Sequence, residues 1–261
     1  MLEYVREIRL RAPRIGCQKL WEMCRSYFKD KFTLGRDAFY KLLRESGLML
    51  RVRRRKTRTT HRDLYAPFYP NLIKGVRPTA ANQVWVSDIT YIWTCEGFCY
   101  LFLVTDLYSH RIMGWKLADS LKYKHAEDAL RQAISTAGCS LTGLIHHSDR
   151  GFQYTYADYM ALLREHGIEV SRTEHGDPLE NAVAERVNGI LKQEWLSLYR
   201  FNNESAVRQV LTGAIEFYNK ERPHASNNWL TPEQAYRQAG PLERKWKNYY
   251  PSLKDTQGVY P

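Results

Sequence analysis

Three carboxylates stand where carboxylates are unusual. Asp88 lies inside Val84–Trp93 (VWVSDITYIW), a run rich in β-branched and aromatic residues that predicts a strand. Two-residue alternation puts Val84, Val86, Asp88, Thr90 and Ile92 on one face of it. An ionised acid on a buried face is costly unless something positive compensates it, and a metal ion or an arginine would each do so. Asp149 ends a short apolar run in LIHHSDRG, beyond a predicted strand, where open α/β sheets place their chemistry. An aspartate that shapes the turn before Gly151, or that pairs with Arg150, fits the same pattern. Glu185 falls on a predicted helix, Leu179–Leu198. At about 100° per residue, Asn181, Glu185, Asn188 and Lys192 form one polar stripe opposite Val183, Val187, Ile190 and Leu191. An ordinary solvent-facing stripe has the same look.

Carboxylates without paired thiols or histidines suit hard Mg²⁺ or Mn²⁺ better than zinc. Two such ions about 3.5–4 Å apart can stabilise the attacking and leaving oxygens of a phosphodiester displacement. Three acids gathered around such a place repel one another, which predicts raised pKa values before metal binds. His147, Asn181 and Asn188 are candidates for orienting a carboxylate or a water, with a structural role open for each. Trp195 and Tyr199 read either as core aromatics or as surfaces for base stacking.

The elements that would position these residues follow from periodicity. Tyr100–Leu107 and His110–Leu117 are further strand-like runs, with a turn in Cys95–Cys99. Then come a helix over Lys124–Ala137, a short strand over Gly143–His147, a helix over Thr155–His166 and a strand over Gly167–Ser171. Three meandering strands followed by crossovers predict a mixed sheet with helices on both faces. Upstream, short helices over about 17–28 and 35–46 fit a helix-turn-helix-like unit, ended by Gly47. Pro67, Pro70, Gly75 and Pro78 mark a linker. The expected division is a helical, basic segment over 1–62, a linker over 63–80, a core over 81–200 and a helical end with a tail over 201–261.

Charge is distributed by segment. Residues 1–62 hold 18 Lys+Arg against 6 Asp+Glu, residues 63–185 hold 10 against 15, and residues 186–261 hold 11 against 7. A basic arm ahead of an acidic middle suggests a polyanion-binding module joined to a carboxylate-bearing one. Arg51, Arg53, Arg54, Arg55, Lys56, Arg58 and Arg62 crowd the arm, where each phosphate contact would steepen the salt dependence of binding by about 0.9 in log–log slope. No apolar run is long enough to cross a bilayer, and the N-terminus lacks a signal-peptide segment. Five cysteines, an odd set without a C-x-x-C pair, read as free thiols in a reducing cytoplasm.

The strings WVSDITYI, LVTDLYSHRIMGW, HHSDRGFQY and GDPLENAVAERVNGILKQE together resemble the catalytic chain of insertion-sequence transposases of the IS-three group. These belong to the Asp-Asp-Glu superfamily that includes retroviral integrases. The likeness runs from about Tyr4 to Tyr236, with 60 residues between Asp88 and Asp149 and 35 between Asp149 and Glu185. Arg14–Leu48 is similar to the family's helix-turn-helix-like segment, and FYNKERPH (217–224) followed by LTP (230–232) to its C-terminal signature; Gly240–Pro261 matches nothing in the pattern. The resemblance implies an RNase-H-like fold, Asp88, Asp149 and Glu185 as ligands of two Mg²⁺ ions, and Lys192 near DNA. It implies that water nicks the element end and that the freed 3′-hydroxyl then attacks a second phosphodiester, in many of the group through a circular intermediate. It further implies a homo-oligomer, a cytoplasmic, nucleoid-associated bacterial enzyme, and an upstream helix-turn-helix protein fused by ribosomal frameshifting. An inactive DNA-binding remnant and a nuclease acting on RNA–DNA hybrids are the alternatives.

Overall fold

The structure is a computed structural model that describes residues 1–50, 69–174 and 181–242. The seven basic arm residues named above, the first part of the linker and most of the tail lie outside the described residues.

A five-stranded sheet carries the chain. Its strands are β1 (Val84–Thr94), β2 (Gly97–Asp106), β3 (Ile112–Ala118), β4 (Ile145–Ser148) and β5 (Glu169–Arg172), in the order β3-β2-β1-β4-β5. The first three pair antiparallel, while β4 runs parallel to β1 and β5 parallel to β4, as the meander-then-crossover pattern predicts. Strand β3 starts two residues later than its apolar pattern suggests. His110 sits at φ 61° in a tight turn after β2, where Asp106 accepts from the Ser109 N–H and hydroxyl.

Alternation along β1 divides the core. Trp85 packs with Phe102, Val104, Leu130 and Tyr159 beneath α4 (Tyr123–Ala137) and α5 (Ala157–Glu165). On the other face Val84 and Val86 meet Ala184, and Ile92 meets Val187, Ile190 and Leu191 of α6 (Ala182–Glu194). Helix α4 lies so close to β3 that a Cβ on Gly114 would come within 2.1 Å of the Ala129 carbonyl oxygen.

The upstream helices α1 (Leu2–Arg11), α2 (Cys17–Phe28) and α3 (Arg36–Glu45) do not form a separate hydrophobic unit. Val5, Ile8, Leu20, Phe39 and Leu43 belong to the same cluster as Val187, Leu191 and Trp195 and as Val207 and Leu211 of α7 (Glu204–Lys220). Helix α6 is shorter than its polar and apolar stripes predict. It stops at Glu194 because the flanking side chains are held elsewhere: the Trp195 indole donates to the Arg11 carbonyl at 2.8 Å, and Glu194 binds Arg222 through two hydrogen bonds of 2.8 and 2.7 Å. Arg222 is 1% exposed and also contacts His224 at 2.8 Å. The C-terminal signature is therefore a clamp on the end of α6. The last helix among the described residues is α8 (Pro232–Tyr236), started by a capping box between Thr231 and Gln234.

Two substitutions test this packing. Gly114→Ala is expected to cost at least about 1–3 kcal/mol, read as a lower thermal midpoint by circular dichroism; an unchanged midpoint contradicts the close approach of α4. Glu194→Ala leaves Arg222 buried without its partner and is expected to cost about 3–5 kcal/mol, measured by denaturant unfolding.

Candidate active site

Strands β1 and β4 share four parallel rungs, the last joining Ser87 to Ser148. The next rung would join Asp88 to Asp149. There β4 ends and β1 runs on, so the two acids stand where the strands part, with neighbouring strands about 4.8 Å apart. Asp88 is half-buried, its cross-strand partner on β2 is the buried Leu103, and the Asn188 amide donates to its Oδ2 at 2.8 Å. Removal from water pushes Asp88 up to about 7, helped by the Asp149 charge and, more weakly, by Glu185, against the Asn188 hydrogen bond.

Asp149 is exposed on the loop after β4, and its Oδ1 accepts from the Gly151 N–H at 3.0 Å. The turn-shaping role foreseen for it is real. The Arg150 pairing is not: that guanidinium donates to the carbonyls of Thr173 and Glu174, and among the described residues Asp149 has no ion-pair partner. Crowding by protein raises the Asp149 pKa, with the Gly151 N–H and Arg172 opposing.

Helix α6 lays its polar stripe over the end of β1. The stripe faces the sheet as well as solvent, which an ordinary exposed stripe would not do. Asn181 and Asn188 are buried, and Asn181 donates to the Ser87 carbonyl at 3.0 Å. Glu185 is exposed one turn from each asparagine, and burial and the Asp149 charge raise its pKa. Lys192 is half-buried; desolvation lowers its pKa while Asp88 opposes. His147 is buried against Ser171 at 2.8 Å, and the same hydroxyl accepts from the Leu72 N–H at 2.9 Å, so it ties β4 to β5 and the linker. Trp195 is a core residue, whereas Tyr199 is exposed.

One contributor escaped the sequence. Arg172, at the end of β5, is 1% exposed beneath the Tyr69 ring at 4.6 Å, donates to the Tyr154 carbonyl at 2.7 Å and bears electrostatically on Asp149. Its Nε and Nη1 atoms have no hydrogen-bond partner among the described residues. The sequence offered only an arginine directly after the short strand predicted over Gly167–Ser171.

The donor set fits a hard divalent cation. It consists of carboxylate oxygens, with the Asp149 charge raising the pKa of both Asp88 and Glu185, and none of the three acids is in a salt bridge among the described residues. It does not form a closed cage: among the described residues no three His, Cys, Asp or Glu side chains lie close enough to hold one ion, Glu185 standing out towards solvent.

The sheet order and the acids at its parting strands define an integrase-type core. Residues 78–178 and 166–232 match two families described as Integrase core domain. The chain is 37% identical over 201 residues to the uncharacterized 31 kDa protein of insertion element IS600 from Shigella sonnei, covering 76% of this chain and 74% of that one. It is 34% identical to transposase InsF of insertion sequence IS3A from Escherichia coli, covering 74% and 67%. It is 33% identical to the transposase of IS904 from Lactococcus lactis, covering 74% and 77%. Among solved structures, the simian T-cell lymphotropic virus intasome in complex with PP2A regulatory subunit B56 gamma aligns with a TM-score of 0.54 at 17% identity, covering 73% of this chain and 66% of that one. The HTLV-2 integrase catalytic core domain with magnesium, dimeric form, aligns at 0.50 and 18%, covering 62% and 100%. Those two likenesses establish the RNase-H-like fold. The chain belongs to the insertion-sequence transposases of the IS3 type, Asp-Asp-Glu polynucleotidyl transferases that act on DNA. Enzymes with this domain use divalent metals. Among the described residues no helix is long and apolar enough to cross a membrane.

A raised Asp88 makes the metal-free protein pH-sensitive. The unfolded chain loses this proton near 3.8 and the folded one near 7, so stability falls as pH rises between them and the full penalty stands above 7. Asp88→Asn is expected to exceed the metal-free wild type at pH 8 by on the order of a few kcal/mol, with the gap closing near pH 4. Thermal melts across that range decide it; a variant less stable than wild type at pH 8 refutes the assignment.

Proposed function

We propose that Asp88, Asp149 and Glu185 jointly hold two Mg²⁺ ions, with Mn²⁺ able to substitute, and that the chain frees a 3′-hydroxyl at each element end and joins it to target DNA. The observation that carries this reading is the parting of two strands: the last shared rung joins Ser87 to Ser148, and a carboxylate follows it on each strand at the point where β1 outruns β4, with α6 bringing a third towards them. Bound there, the ions would polarise the scissile phosphate and stabilise charge on the attacking and leaving oxygens.

This chain's own residues set the stage. Asn188 fixes the rotamer of Asp88, and the Gly151 N–H fixes that of Asp149. Like charges keep the exposed Glu185 apart from the other two; a cation between them reverses that preference, and rotation about its side chain completes the set. Lys192, within electrostatic reach of Asp88, would seat a DNA phosphate beside the reacting one. Arg51, Arg53, Arg54, Arg55, Lys56, Arg58 and Arg62 would track the backbone further out, making residues 1–62 the DNA-binding segment and 81–200 the catalytic core. Synapsis of two element ends calls for at least two copies of the chain. Fusion to an upstream helix-turn-helix protein and association with the nucleoid complete the reading.

Asp149→Ala is expected to reduce Mg²⁺- or Mn²⁺-dependent cleavage and joining of terminal-repeat DNA to background while leaving DNA affinity unchanged. Gel assays of nicked and joined products, beside anisotropy titrations, measure both. Wild-type cleavage by the variant, or faster cleavage of an RNA–DNA hybrid than of the repeat by the wild type, refutes this assignment.

A further inference from the structure

Beyond Ser87, β1 loses its neighbour β4 and, among the described residues, presents an open edge until the chain returns at Phe201, which bridges Thr94. Between that edge and residues 196–201 runs a groove of about 620 Å³. Aromatic rings dominate it. Tyr91 and Trp93 of β1 pair across the hairpin with Tyr100 and Phe98 of β2, giving one ladder with centroid separations of 5.2 Å for Tyr91–Tyr100 and 4.8 Å for Trp93–Phe98. Trp93 is 65% exposed, Phe98 51%, Tyr199 49% and Tyr91 39%. The same face of β2 is covered by α4 at Phe102, but the ladder extends past that cover. A contiguous exposed aromatic patch of this kind marks a binding surface.

Its charge and position say what binds. The groove includes Lys192 and Arg200, and no acidic side chain of the described residues lines it. It lies along the strand that carries the first acid: Tyr91 stands three positions along β1 from Asp88, roughly 10 Å at about 3.3 Å per residue and on the opposite face of the strand, and feels the charges of both Asp149 and Asp88. Lys192 lines the groove and interacts with Asp88 as well. Flat rings interleaved with cations accommodate stacked bases and their phosphates. Paired bases hide their faces, so a duplex cannot use such a ladder.

We infer that this groove is a subsite for unpaired nucleotides of the DNA strand next to the scissile phosphate, with Trp93 and Tyr199 as stacking platforms and Arg200 on the backbone. The enzyme would take hold of a frayed end, not a fully paired one. This rests on the DNA-cleaving reading above.

The test uses the full chain and a fluorescently labelled 12-nucleotide single strand, beside the same sequence as a hairpin duplex. Trp93→Ala and Tyr199→Ala are each expected to weaken single-strand binding by about tenfold and to leave duplex binding unchanged, with Trp93→Phe restoring most of the loss. Cleavage by Trp93→Ala is expected to fall on paired ends and to recover on ends frayed by mismatches. Equal single-strand affinity in wild type and Trp93→Ala overturns the inference. So does a loss of self-association in Trp93→Ala, seen by sedimentation, with DNA binding intact; that would assign the groove to a second copy. Trp93-dependent strand binding in a chain that cleaves no DNA supports the subsite and refutes the catalytic reading.

Discussion

Negative charge placed inside a hydrophobic sheet is the constraint around which this molecule is arranged. Asp88 sits beside the buried Leu103 and beneath α6, and among the described residues only the Asn188 amide answers it by a side-chain hydrogen bond. Asparagine suits that position because it donates without bringing a charge that would compete with a cation. Asn181 makes the equivalent bond to the neighbouring Ser87 carbonyl, so α6 is registered on β1 by two amides and packed by Val187, Ile190 and Leu191. The helix is thus held on two sides, polar towards the strand end and apolar towards α7 and the upstream helices.

The sheet was legible because its strands obey simple periodicity. β-branched runs bounded by turns gave the meander, and short apolar runs between helices gave β4 and β5. Boundaries shifted where side chains overrode local preference. Trp195 and Glu194 end α6 through partners at Arg11 and Arg222, far away in the chain, and no local pattern encodes such partners. The acids themselves were legible as misplaced charge. Their adjacency was not: the register that sets Asp88 beside Asp149 depends on a parallel pairing fixed by loops on both sides of the sheet.

Arg172 and the aromatic ladder were missed for a related reason. A single arginine in a four-residue strand looks like a surface residue until its neighbours bury it, and Tyr69 and Tyr154 both lie upstream of it at very different separations. Tyr91, Trp93 and Phe98 read as ordinary strand aromatics, since sequence does not say where a covering helix stops. His147 shows the converse. Sequence left an orienting and a structural role open for it, and its ring hydrogen-bonds Ser171 of β5.

The upstream helices share their interior with α6 and α7, and their junction is stiff. The Arg14 N–H donates to the Glu194 carbonyl at 3.2 Å, Trp195 reaches back to Arg11, and Arg222 holds the Glu194 side chain. Under the proposed reading, a twist applied to the upstream helices by bound DNA would be delivered as torque to the rod that carries Glu185. Grip and cutting geometry would then be mechanically geared, and a poorly seated substrate would leave the third carboxylate out of alignment.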